Sequence, residues 1–306
     1  MPIDAATKLS DFSGFLTPQL SQPYFDEVAK TSTVQRLARK VPLGVSGQAI
    51  PVVTSKPTAS WVEEGTQKPT TKGGLGLIKM TPKKIAAIAV VSAETVRANP
   101  GNYVSIFKND IAEAFALAFD SAALHGTDSP FETNVDKTTK TVALGTATAA
   151  AGGIYGDAVS ALDLLIKDKR KLTGFAFDTS AEAVLLNSYD ANGRPLLVEP
   201  VYADTALTAA RLLGRSAVLG DGVADAAGKT VGYAGDWTKA VWGALGGITY
   251  KVSTEASVTI NGQLVSLFEN NLVAILAEAE FGFAMAEAQA NSFVKLTAPV
   301  APPAGA

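Results

Sequence analysis

The feature that most limits how this chain can fold is a polar tongue set between runs of β-forming residues. AIPVV (49–53) precedes it, LGLIKM (75–80) and KIAAIAVV (84–91) follow, and WVEEGTQKPTTKGG (61–74) lies between. After Trp61 only Val62 breaks a series of Glu, Gln, Lys, Thr, Pro and Gly. Hairpin loops commonly run about 2–5 residues, and longer ones without structure of their own are usually functional or disordered. Pro51, Pro57, Pro69 and Pro82 are spread through the segment, and proline is confined to sheet edges and strand starts. Residues 48–92 therefore read as two strands and a tongue outside any central sheet. An isolated two-stranded hairpin is marginal in water. This one needs a partner surface, and the reading carried forward is a second copy of the same chain.

Composition narrows the function classes. The chain has 306 residues, 47% hydrophobic and 18% charged, against an average charged content of about 25%. Large buried interfaces, a large core, or both are implied. The net charge is −3, and the longest basic run is Lys169-Arg170-Lys171. This argues against a basic face that wraps nucleic acid. With no cysteine, disulfides, thiolate metal sites and cysteine nucleophiles are excluded. No apolar run approaches the roughly 20 residues of a membrane helix, and the N-terminus lacks the pattern of a secretory signal. A soluble, intracellularly made protein is expected.

Along the chain, residues 1–47 read as an arm interrupted by Pro2, Pro18, Pro23 and Pro42, with one short helix within residues 24–41. Residues 102–125 read as a long helix. Val104, Phe107, Ile111, Phe115, Ala118 and Ala122 recur at spacings of three and four, with Lys108 and Asp120 off that stripe. Residues 156–171 predict a second helix with Val159, Leu162, Leu165 and Ile166 on one face. GFAFD is a short strand, and Thr179 with Glu182 has the form of a capping box. Strands are expected at 211–219, 229–233 and 240–253. From Val273 to Met285 the odd positions are apolar, with Glu278 and Glu280 on the other face, which predicts a long strand with one wet face.

Chemistry finds little support. His125, the single histidine, sits where the long helix should end and reads as a C-terminal cap, with a catalytic base as the sharper alternative. GVADAAGKT (222–230) resembles a phosphate loop but has five residues between its glycines and leads into strand, so a turn is the ordinary reading. Glu63 and Glu64 are adjacent and read as a solvated edge or as partners for a neighbouring subunit. No catalytic, cofactor or metal site is expected.

The order of these pieces resembles that of the major capsid proteins of tailed double-stranded DNA phages, with the Hong Kong 97-type fold. The residues that carry the resemblance begin with Val41-Pro42, Ala49-Ile50-Pro51, Ala59 to Gly65, Pro69 and Thr81 to Ala86. Val91 to Thr95 and His125-Gly126-Thr127 follow. Asp190 to Pro195, Leu213-Gly214-Arg215, Gly235-Asp236-Trp237 and Ser292 to Leu296 complete the series. The resemblance implies an α+β fold in four parts: an N-terminal arm (1–47), an extended hairpin called the E-loop (48–92), a P-domain and an A-domain (153–248). The P-domain takes residues 93–152 with the long helix as its spine, and 249–306 as return strands and tail.

The resemblance also implies a function: self-assembly as hexamers and pentamers into an icosahedral phage head that encloses packaged DNA without sequence-specific binding. The implied place is the virion capsid, assembled in the host bacterial cytoplasm, with no membrane partner. Other partners implied are a portal protein and a scaffolding protein, with a decoration protein as a further candidate. Trp61, Glu63, Glu64, Lys72, Lys83 and Lys84 are the expected inter-subunit contacts of the E-loop, and Gly193, Arg194 and Pro195 the expected A-domain loop near the axis. The alternatives are an encapsulin-type nanocompartment shell and, from another class, a soluble α/β enzyme.

Overall fold

The structure, a computed structural model, describes residues 32–98, 103–126, 128–147, 152–186, 210–225 and 227–298. In chain order its strands are β1 (Arg39–Lys40), β2 (Gln48–Ser55), β3 (Gly74–Met80), β4 (Lys83–Ser92), β5 (Thr141–Ala143), β6 (Gly174–Phe177), β7 (Ala210–Leu212) and β8 (Arg215–Leu219). They continue as β9 (Thr230–Gly235), β10 (Val241–Ala244), β11 (Thr249–Ser253), β12 (Ser257–Ile260), β13 (Gln263–Ser266), β14 (Leu272–Ala284) and β15 (Phe293–Thr297).

The first sheet is built on β14. On one side β4 pairs with it antiparallel from Leu272↔Ser92 to Phe281↔Lys83; on the other, β11 and β10 follow one another, and β1 adds in parallel to β10. The period-two pattern of β14 holds through its middle. Ala277, Ala279, Phe281 and Phe283 are buried while Glu278 and Glu280 are only half-buried. At both ends the second face is covered too, by Leu267 beside Leu272 and Ala274, and by Leu43, Met80 and Val241 beside Ala284.

The long helix runs Tyr103–Leu124, 22 residues, or about 33 Å at 1.5 Å per residue. It meets the first sheet through Phe119, whose ring lies 5.5 Å from Phe281 and 6.4 Å from both Trp242 and Phe283. Its buried face is wider than the stripe read from sequence. Ile111, Phe115 and Ala122 are buried as expected, and so is Phe119, which widens that stripe; but Ala112, Ala116, Ala123 and Leu124 are buried too, whereas Ala118 is exposed. Lys108 and Asp120, expected on the polar side, are buried as well. The reason is that the helix is clasped from two sides. Lys108 lies 5.3 Å from the Tyr250 ring, and Asp120 is covered by residues 32–34.

The second sheet has the order β5-β15-β9-β6-β8-β7. The pairs β15–β5 and β6–β8 are parallel, and the others antiparallel. The helix Gly153–Lys167 covers one face through Ala158, Ala161 and Leu165, above Phe175, Phe177, Val294 and Leu296. The sequence reading had this helix turned differently: Val159 and Ile166 are exposed, and small alanines face the sheet instead. The capping box is also displaced by one residue. Asp178, not Thr179, caps this turn by accepting from the Ser180 amide, and Thr179 bonds Asp221. The turn between β7 and β8 puts Leu213 and Gly214 both at positive φ, the geometry that matches the twist of a tight hairpin.

The strand pairing cuts across the linear segments drawn from sequence. β15, from the C-terminal segment, and β5 lie in the same sheet as the strands of 153–248, while β10 of that segment belongs to the first sheet. Trp237 sits in the buried cluster that joins the two sheets, with Trp242 and Phe281 of the first and Phe293 of the second. Its indole nitrogen donates to the Gly174 carbonyl at 3.1 Å, and Phe293 packs edge-on at 5.1 Å.

Gly235 sits beside that joint, paired with Gly174 on β6 and Phe293 on β15. A Cβ there would fall 2.5 Å from Phe293 Cδ1 and 2.7 Å from the Ser292 carbonyl oxygen. Gly235→Ala is expected to destabilise the protein by about 1–3 kcal/mol, as for other overpacked sites, measured as a lower urea midpoint at unchanged slope.

Candidate assembly surface

β2 and β3 form a hairpin of their own, from Gln48↔Met80 to Ser55↔Gly74. Only its root is buried: Ile50 and Met80 pack with Leu43, Val241 and Ala284. β4, expected to run with the hairpin, belongs to the first sheet instead. Beyond the root the hairpin has an uncovered apolar face. Pro51 pairs with Leu77 and Val53 with Leu75, and Val53, Leu75 and Leu77 are all exposed. A strand face of this composition is normally covered.

The tongue spans residues 56–73, every one of them exposed. It is nonetheless ordered by its own bonds. The Thr58 amide donates to Thr71 Oγ1 at 2.8 Å across the tongue, and Thr66 donates through both its amide and its hydroxyl to the Glu63 carbonyl. Gly65, at φ +80°, turns the chain within that bond. Trp61, just before the turn, is fully exposed, whereas Trp237 and Trp242 are buried.

Trp61, Glu63, Glu64 and Lys72 thus share the tongue, while Lys83 and Lys84 lie at the hairpin's root, at the start of β4. Sequence grouped these six residues; the structure divides them between tip and root. Lys84 and Lys251 flank Glu278 at 3.0 and 3.1 Å, and hydrogen bonds from both hold its carboxyl below the usual range. Lys83 is exposed. Gly193, Arg194 and Pro195 lie outside the described residues.

Beside Lys83 and Lys84 is a cleft of about 450 Å3. Ile85, Phe119, Phe131, Phe281, Ala118 and Ala122 line it, with Asp128 at another edge. Sequence gave no sign of it, because its aromatic residues come from three separate segments. A second exposed apolar surface surrounds the β12–β13 hairpin, with Val252, Leu264 and Phe268.

His125 does not act as the expected helix cap. Its Nδ1 lies 3.0 Å from the Tyr233 hydroxyl, which donates to Asp136 at 2.6 Å; Lys295 meets the same carboxylate at 2.6 Å. Burial, followed by the bond to Asp136, raises the Tyr233 hydroxyl far above its ordinary pKa. This chain of contacts ties the end of the long helix to β9 and β15. At 222–230 the phosphate-loop resemblance ends in a turn: Asp225 accepts from the Lys229 and Thr230 amides, and strand β9 follows.

A clamp that sequence missed holds the other flank of the long helix. Asp120 accepts from the Ser32 hydroxyl at 2.6 Å, the Thr33 amide at 2.6 Å and the Val34 amide at 3.1 Å. It thereby fixes the short helix Thr33–Leu37. Burial pushes its carboxyl up to about 7, against the opposing pull of these bonds.

The comparisons with known proteins agree with this architecture. The model of the Phage capsid family matches residues 13–297. The probable major capsid protein gp17 of Mycobacterium phage D29 is 42% identical over 94% of this chain and 91% of its own length. That of Mycobacterium phage L5 is 43% identical over 97% and 93%. Among solved structures, a chain of Gordonia phage Cozz superposes with a TM-score of 0.70 at 22% identity, covering 94% of this chain and 92% of that one.

Proposed function

This chain belongs to the phage capsid family, and from that premise we propose that the hairpin β2–β3 and its tongue clasp an adjacent copy in the shell. The protein is a major capsid protein with the α+β Hong Kong 97-type fold. The uncovered apolar face of Val53, Leu75 and Leu77 carries the reading. An exposed apolar strand face of this kind marks an interaction site, and a neighbouring copy is always present in a shell.

On this reading the copies close into hexamers and pentamers, and these into an icosahedral head around packaged DNA. Many weak contacts per subunit add up under closed symmetry. Residues 1–47 serve as an arm, 48–92 as the E-loop, and residues 153–248 bring Gly193, Arg194 and Pro195 near the axes. A portal protein, a scaffolding protein and a decoration protein complete the partners, and assembly takes place in the cytoplasm of a bacterial host. The shell asks no chemistry of the chain, so we assign no catalytic role to His125. The encapsulin-type alternative gains no support from the relatives found.

Negative-stain electron microscopy of the purified chain, with size-exclusion chromatography, tests the proposal. Closed shells or rings of five and six are the expected result. A monodisperse monomer, unchanged by co-expressed scaffolding protein, would overturn it.

A further inference from the structure

We propose that Trp61 of one copy inserts into the cleft of Phe119, Phe131, Phe281 and Ile85 on the next copy, with Glu63 and Glu64 meeting Lys83 and Lys84 at its rim. The inference rests on the shell reading and deepens it by naming the surface that receives the tongue.

The first support is geometric. The cleft adjoins the hairpin's root, since Lys83 follows Met80 by only three residues, while Trp61 lies past the far end of β2. Eight residues of β2 at about 3.3 Å each put roughly 25 Å between them. In this structure the tongue does not occupy the cleft of its own chain, and Trp61 is fully exposed. A tip that fits a root is a head-to-tail contact. Repeated with rotation, such contacts close into rings, which is the form a capsomer requires.

The second is chemical complementarity. The cleft is floored by aromatic rings already arranged edge-on, with Phe119 and Phe131 at 5.8 Å and 73°. An indole is suited to join them, because aromatic pairs favour such edge-to-face contacts. About 450 Å3 accommodates one such side chain. At the rim, Lys83 is exposed and Lys84, paired with Glu278, shares that carboxylate with Lys251, so the rim carries net positive charge, and Glu63 and Glu64 follow Trp61 by two and three residues. Asp128, the acid at the cleft's edge, finds Lys68 and Lys72 on the same tongue. Buried aromatic anchors surrounded by charged rims are the usual form of an energetic centre in an interface.

Two measurements on the full chain test this. Trp237 and Trp242 are buried, so acrylamide quenching in free subunits reports Trp61, and that quenching should drop severalfold in shells. Because the chain has no cysteine, Glu63→Cys chains can be co-expressed with Lys83→Cys chains and treated with a short bismaleimide. Covalent dimers between the two variants should appear in shells and be absent from free subunits. Shells whose Trp61 stays quenchable, or that give no such dimers while Glu63→Cys links elsewhere, would overturn the cleft as receiver and leave the shell reading intact. If wild-type chains form no shells, the shell reading itself fails, and this proposal with it.

Discussion

Asp120→Ala is expected to destabilise the subunit by about 3 kcal/mol or more and to free the chain at Ser32. The carboxylate is the acceptor for three buried donors: the Ser32 hydroxyl and the Thr33 and Val34 amides. Each donor left buried without an acceptor costs about 1–3 kcal/mol. No other described group replaces it, since the helix Thr33–Leu37 is too short to hold itself. Urea unfolding measures the loss, and limited proteolysis near residue 32 shows the released segment. A loss below about 1 kcal/mol would mean that water or a neighbouring group satisfies those donors.

The same residue gives a pH dependence whose sign is unusual for an aspartate. Its folded pKa, about 7, lies above the roughly 3.9 of an unfolded aspartate. Between these values the folded protein binds a proton that the unfolded chain does not. The proton-linked part of its contribution is therefore fully present below about pH 4, falls as pH rises, and is lost above about pH 7. Between pH 5 and 8 the change amounts to about 2–3 kcal/mol. Asp120→Asn cannot titrate and should lack that slope, so the wild-type urea midpoint should fall relative to that of Asp120→Asn between pH 5, 6 and 8. Parallel midpoints would place the folded pKa well below 7.

What sequence showed and what it hid follow from the range of the forces involved. The alternation of β14 and the spacing of the long helix were legible, because one neighbour on one face sets a period of 2 or 3.6. Where a second neighbour covers the other face, the period misleads. Asp120 and Lys108 looked like solvent-facing residues, yet the helix is gripped from both sides. The small residues Ala158 and Ala161 face the second sheet, where the larger Val159 was expected. The tongue stood out as a polar insertion among apolar strands, and it is exposed as that reading required. The cleft was invisible: Phe119 on the long helix and Phe131 just after it meet Phe281 of β14 only when the helix packs on the first sheet, and the pairing of β4 with β14 adds Ile85 beside them.

Replacing residues 56–73 by Asn-Gly should abolish shell formation while leaving the subunit folded. Ser55 and Gly74 already face each other across the hairpin, and Asn-Gly is a preferred two-residue connection. Nothing buried is removed, as every residue of the tongue is exposed. Loop closure becomes easier, by up to about 2 kcal/mol for a shortening of this size, so the unfolding midpoint should stay level or rise. Assembly should respond in the opposite direction. A closed shell repeats the same contact at every subunit, and a small loss at each site multiplies through the particle. Leu77→Asp supplies the complementary test. Leu77 is exposed in the subunit, so a charge there costs the fold little but would be buried against a neighbour. If both variants fold and neither assembles, tip and face each contribute to the clasp. If the shortened hairpin still forms shells and Leu77→Asp does not, the strand face alone holds the neighbour. Normal shells from both would remove the hairpin from the contact altogether.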